Sequence, residues 1–484
     1  QGSIDSAKYY LDIYRKNLKN SNYTGHLDVD KYADVFQLLA DISLREHDFN
    51  EALRLSKKSL RLQSHEWTRR EVGKNYADRI RALNSITTVY IRTKNYRKAK
   101  KVNDRATYML EKYAVGNELL KVDSYLNKSF LAYYNNDVAN SKVLLSRSMK
   151  LQVGFVKSTM TFLSEYEKEN IYQQFKANSD RILSQVYTMH SDGYVGSNDP
   201  FLEDILNYVI NTKAIILSET NKIIEGASGS GQDSLSELLS NWRQLKQQWN
   251  YLASASKRNG QKRYEKADEK RGEINQRIIQ IEKELSTKLK TKPTVSWKTV
   301  RDHLVAGEVA IEMIKVNRGD SSVFMIMKVG PESKLPEINF LGQNVSLERY
   351  VKSYFNAIKY DFEDTLMYPV IWKPLKLESD IKKIYLSPSG IFHLVNFNTI
   401  KRSDGSFLTD KHTIVNITNI ANLARDKPTE PNFSSALLVG ISDFHSHGYL
   451  DQYNVADLPG VEREIMQIDS LLKGEGINTI SILN

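Results

Sequence analysis

Two stretches near the C-terminus decide the reading: SALLVGISDF at Ser435–Phe444 and LPGVEREIMQIDSLLKGEGINTISILN at Leu458–Asn484. Ala436–Ile441 is a short continuous apolar run that gives way to the polar pair Ser442-Asp443. That is the pattern of a buried parallel strand opening onto a crevice. From Leu458 to Leu472 the apolar residues recur at helical spacing, with Val461, Ile465, Ile468 and Leu472 on one stripe and Glu462, Arg463 and Glu464 off it. Gly474 and Gly476 stop this helix, and Ile477–Leu483 begins a second strand. Strand, helix, strand is one βα unit of a parallel sheet. Residues 435–484 are expected to be the start of such a sheet, with the chain ending inside the domain.

Working outward, 484 residues with 40% hydrophobic and 26% charged composition suit a protein of several domains. No apolar run reaches the length of a membrane helix and no secretory signal pattern opens the chain, so a soluble, cytoplasmic protein is expected, with no membrane partner. The absence of cysteine excludes disulfides, thiolate zinc sites and a thiol nucleophile within these residues. The net charge of +10 raises the question of nucleic acid, and the densest basic block is Lys257–Lys292. Acids at Glu265, Asp268, Glu269, Glu273, Glu282 and Glu284 interleave with its bases at helical spacing. The block reads as a solvated helix face, and direct nucleic-acid binding is not expected.

Up to about Leu289 the sequence is nearly free of strand signals. Three segments align at the polar turns REHDF, RTKNY and YNNDV, around Asp48, Asn95 and Asp137. Each turn is followed by a small residue (Ala52, Ala99, Ser141) and, seven positions on, by another (Ser59, Ala106, Ser148). Small residues there let two helices approach closely. The pattern resembles the tetratricopeptide repeat over 1–190, although Ala40 and Thr87 stand where its glycine is usual and the spacing exceeds about 34 residues. Longer helices would explain the spacing, and an irregular helical bundle is the alternative. Ser191–Pro200 reads as a loop and Phe201–Ile224 as a helix striped by Ile205, Val209 and Ile216. Gly226–Gly231 lacks the features of a phosphate cradle. Leu235–Leu289 reads as two long helices joined near Asn259-Gly260, completing a second helical region over 191–292.

At 293 the pattern changes to α/β. Val300–Leu304 suggests a short helix, Val309–Val316, Ser322–Val329 and Ile338–Leu341 suggest strands, and Leu347–Lys359 suggests a helix. A strand at Lys383–Leu386 runs into a turn at Ser387-Pro388-Ser389-Gly390, followed by His393. Ser387 and His393 lack a nucleophile-elbow pattern, so turn chemistry is the expected role of Ser387. His445 and His447 form an HxH pair without a third ligand at suitable spacing, which favours a solvated loop over a metal site. His412 marks the start of a strand. No metal or cofactor is expected.

Taken together, VRDHLVAGEVAIEMIKV, FMIMKVG, FLGQNVSLERYV, YPVIWKPL, IYLSPSGIFHLVNFNTI, SALLVGISDF and LPGVEREI resemble, in order and spacing, a CHAT domain over Thr294–Asn484. Its N-terminal part would be 293–434. CHAT domains are caspase-like peptidase domains that often follow tetratricopeptide repeats. The resemblance implies an all-α superhelix followed by an α/β caspase-like domain that is incomplete at its C-terminus. It also implies a cysteine endopeptidase whose His activates a Cys nucleophile. Both residues would lie beyond Asn484, so no catalytic residue is assigned here and no peptidase activity is expected from this chain alone. The implied partners are a protein activator held by the repeats, a protein substrate and the absent catalytic portion, in a setting of bacterial defence. The alternative is a non-catalytic scaffold carrying a pseudo-protease domain.

Overall fold

The computed structural model describes residues 2–20, 26–63, 76–113, 118–159, 165–213, 233–256, 262–288, 294–318, 321–342, 347–360, 362–424, 434–441, 458 and 460–483. After α1 (Gly2–Asn20), three helical hairpins follow: α2 (His26–Arg45) with α3 (Phe49–Leu62), α4 (Tyr76–Arg92) with α5 (Tyr96–Tyr113), and α6 (Glu118–Tyr134) with α7 (Val138–Thr159). At each tip one residue is left-handed: His47 (φ 63°), Lys94 (φ 58°) and Asn136 (φ 60°). The next amide reaches back five residues, from Asp48 to Ser43 O at 2.9 Å, Asn95 to Tyr90 O at 2.7 Å and Asp137 to Ala132 O at 3.0 Å. This is the Schellman arrangement that satisfies the last helical carbonyls.

A fourth copy of that turn ends α8 (Glu165–Ser191), where Gly193 has φ 81° and the Tyr194 amide donates to Met189 O at 2.8 Å. Sequence had suggested only a loop there. α9 (Phe201–Thr212) follows. Ala52, Ala99, Ser141, Ser59, Ala106 and Ser148 are all fully buried, as the spacing predicts. Ser59 donates to Ala33 O at 2.8 Å, so close helix approach also satisfies its hydroxyl. Helices of 17 to 22 residues in the second and third hairpins account for the wide repeat.

A polar seam crosses the first helices of these hairpins. The carboxylate of Asp41 accepts from Gln37 at 2.9 Å and from Ser85 at 3.1 Å, and burial pushes its pKa up to about 6 from 3.8. Between those values the folded state holds a proton that the unfolded chain has released. The stability contributed by Asp41 is therefore full below about pH 4 and lost as pH rises through about 6. Asp41→Asn keeps an acceptor without the charge. It is expected to raise the melting temperature relative to wild type at pH 8 and to leave it nearly unchanged at pH 4; equal effects at both pH values would contradict the buried-carboxylate account.

α10 (Asp233–Ser256) and α11 (Lys262–Lys288) pair as a helical hairpin, with Leu235 and Leu239 against Leu285 and the Trp242 indole donating to Glu282 at 2.9 Å. The join at Asn259-Gly260, Gly226–Gly231 and Ile216 lie outside the described residues.

α12 (Trp297–Asp302) leads into a five-stranded sheet of order β3-β2-β1-β4-β5. Its strands are β1 (Glu308–Arg318), β2 (Ser321–Val329), β3 (Glu337–Leu341), β4 (Lys383–Ser387) and β5 (Thr413–Asn416). β1, β2 and β3 form an antiparallel meander, while β4 and β5 add in parallel beside β1. Both faces are covered, which explains the continuous apolar strands. Ala310, Ile314, Met325, Met327 and Phe340 pack with α8, α9 and Trp297, whereas Val309, Ile311, Phe324, Ile384 and Leu386 pack with α13 (Leu347–Lys359) and Trp372. The helices and this sheet form one compact unit, Gln1–Ala424.

The second unit, Arg425–Asn484, contains β6 (Ser435–Gly440), α14 (Val461–Gly474) and β7 (Asn478–Leu483). β6 and β7 are parallel and in register from Ser435↔Asn478 to Gly440↔Leu483. The parallel βα unit expected from sequence is present, with Gly476 at φ 75° just past the helix, but β6 is largely exposed rather than buried, Leu437 and Val439 being 61% and 57% exposed.

Candidate functional site

In a parallel sheet, chemistry is usually placed at the carboxyl ends of the strands. At that end of β6, Gly440 lies under α14, and any Cβ there would stand 2.6 Å from Val461 Cγ1 and 2.9 Å from Ile465 Cγ1. Asp469 ties α14 to β7: its carboxylate accepts from Lys473 at 2.8 Å and from the Thr479 hydroxyl, which together hold it below the usual carboxylate range. Ser442, Asp443, His445 and His447 lie outside the described residues. Among the described residues no cluster of His, Asp and Glu could hold a metal ion.

The strongest concentration of buried polar chemistry lies between α9 and the five-stranded sheet. Glu312, in the apolar strand sequence VAIEMIKV, is fully buried. Lys213, just past α9, forms an ion pair with Glu312 and donates to Met313 O and Ser387 O, both at 3.0 Å, and to Ser387 Oγ at 2.7 Å. The other Glu312 oxygen accepts from the Ile420 amide at 2.9 Å. Asn419 completes the cluster by donating to Ile210 O at 2.9 Å and accepting from the Ala421 amide at 2.8 Å. Four backbone segments thus converge on one buried charge pair.

Ser387 is the last residue of β4 rather than part of a free turn, and its hydroxyl is fully buried. It lies 2.7 Å from Glu312 Oε1 and 3.1 Å from Thr418 O, and it accepts from the Lys213 ammonium. A nucleophile needs an open face and an unprotonated base. Here the hydroxyl is fully buried and already engaged by Glu312, Thr418 O and Lys213, with no open face for a substrate, so the cluster acts as a structural clasp. His393 makes no hydrogen bond to Ser387 among the described contacts; partial burial and the Lys213 charge lower its pKa. His412 Nδ1 lies 2.8 Å from Ile381 O at the start of β5, as its position predicts.

Lys213 and Glu312 were not candidates from sequence. The available signal was a single acid inside an otherwise apolar strand, since a carboxylate is almost never fully buried unless paired.

Residues 364–481 match the CHAT domain family. The CHAT domain, associated with caspase-like peptidases, is therefore present over that span. The match begins before β4 and ends within β7, so it includes the clasp serine, β6, α14 and the first part of β7. A search of curated proteins finds no match. Among the described residues no helix is long and apolar enough to cross a membrane.

Proposed function

We propose that this chain is the N-terminal, regulatory portion of a caspase-like cysteine endopeptidase. Its tetratricopeptide-like hairpins bind an activating protein in the cytoplasm, and a protein substrate is cleaved by a Cys–His dyad supplied outside residues 1–484. The observation that carries this reading is a CHAT match over a parallel β6–α14–β7 unit in a chain with no cysteine. The clasp supports a coupling role, because Lys213 joins the end of the helical array to β1 and β4. Movement of the helices on partner binding would then act on the sheet through a buried, directional contact.

The coding sequence beyond Asn484 tests this. A His-Gly at one strand end and a Cys in a small-residue motif at the next are expected; a stop codon, or other residues at both positions, would sink the protease reading in favour of a scaffold.

A further inference from the structure

In the three hairpins, basic residues are concentrated on the second helices. α3, α5 and α7 carry four, six and four Lys and Arg against one, two and no Asp and Glu. In α2, α4 and α6 the balance is two, three and two against four, one and two. Aligning the hairpins on His47, Lys94 and Asn136 brings Lys58, Arg105 and Arg147 to one equivalent position, and all three are exposed. None forms an ion pair among the described residues.

The arrangement is built rather than incidental. The Lys58 ammonium lies 4.1 Å from the Phe36 ring centroid and the Arg147 guanidinium 4.2 Å from that of Tyr125, and Phe36 and Tyr125 are themselves equivalent in the alignment. Each ring seats a cation that remains open to solvent. Beside Arg147, α7 and the start of α9 border a groove of about 680 Å³ whose lining includes Leu151, Phe201 and the 66% exposed Val143. Lys142 and Lys150 at its edge are already paired with Asp199 and Asp204, so Arg147 is the cation left to meet an anion there.

We infer that this face docks an acidic segment of a partner polypeptide, with carboxylates on Lys58, Arg105 and Arg147 and an apolar side chain in the groove at Val143. The inference rests on the reading that the hairpins recruit a protein, and it names the chemistry of that protein. Single-stranded nucleic acid fits less well, because it needs open aromatic faces for base stacking. Here Phe36 and Tyr125 are buried beneath cations and Val143 and Leu151 present aliphatic surface, so the exposed Tyr108 near Arg105 gives an isolated ring rather than the succession of platforms that stacked bases use.

The test uses fluorescence anisotropy with a labelled peptide of repeated Glu-Glu-Leu and a labelled single-stranded RNA of equal length. The full chain is compared with Lys58→Gln/Arg105→Gln/Arg147→Gln and with a charge-matched control, Lys352→Gln/Lys359→Gln/Lys411→Gln. Peptide affinity is expected to fall about tenfold in the first variant, to change less than about twofold in the control, and to weaken with salt. Arg105→Gln alone, which disturbs no ring contact, is expected to lose about threefold and guards against misfolding of the triple variant. Equal losses in both triple variants, no peptide binding, or tighter RNA binding through the same three residues would overturn the inference. Peptidase activity is not read in this assay, so its failure leaves the protease reading to be judged separately.

Discussion

Lys213→Met is expected to destabilise the Gln1–Ala424 unit by about 3–5 kcal/mol, because it leaves the Glu312 carboxylate buried without its counter-charge. The lysine stem can be replaced almost isosterically, so the loss isolates the charge rather than the packing. Lys213→Met/Glu312→Leu removes both charges and is expected to recover much of the loss, since a buried pair is often no better than well-packed apolar residues. Urea unfolding followed through Trp297 and Trp372, one in the core on each sheet face, reads both effects. A single-variant cost below about 1 kcal/mol with no coupling to Glu312 would mean that the clasp is not a buried ion pair in solution.

The second large effect belongs to the β6–α14–β7 unit. Gly440→Val would place a Cβ at 2.6 Å from Val461, 2.9 Å from Ile465 and 3.2 Å from Leu483, with two further methyl groups beyond it. Overpacking of this kind costs about 1–3 kcal/mol in a well-formed core, and more where the obstructing atoms cannot yield. In so small a unit the helix is expected to lift from its strands. Hydrogen exchange should accelerate across Ser435–Gly440 and Asn478–Leu483 and stay unchanged in β1 and β2. Unaltered protection of both strands would show that α14 does not pack over Gly440.

Sequence conveyed the elements better than their meetings. β1 and β2 were legible because their largely apolar runs follow from burial on both faces, β6 and β7 because their apolar runs flank a helix-spaced stripe although both strands are largely exposed, and the three hairpins because their turns and small residues recur. The fourth turn was hidden: Gly193 sits in SDGYVGSNDP, whose loop residues continue before α9 begins and mask the repeat. Ser387 looked like turn chemistry because Pro388 follows it, although it closes β4 and is buried. The clasp could not be read because Lys213 and Glu312 are distant in sequence and meet only when α9 docks on the sheet. Charge density likewise pointed to Lys257–Lys292, where acids and bases alternate. The unpaired cations of α3, α5 and α7 emerge only once the hairpins are brought into register.

The most direct test of the proposed function is cleavage of a peptide library by residues 1–484 alone and by the proposed longer product that carries the Cys–His dyad, each with and without the proposed activating partner. No cleavage is expected from residues 1–484 under either condition. Cleavage by the longer product should require the partner and disappear when its cysteine is replaced by alanine. Cleavage by residues 1–484 alone, or activity of the longer product that survives loss of the cysteine, would contradict the account.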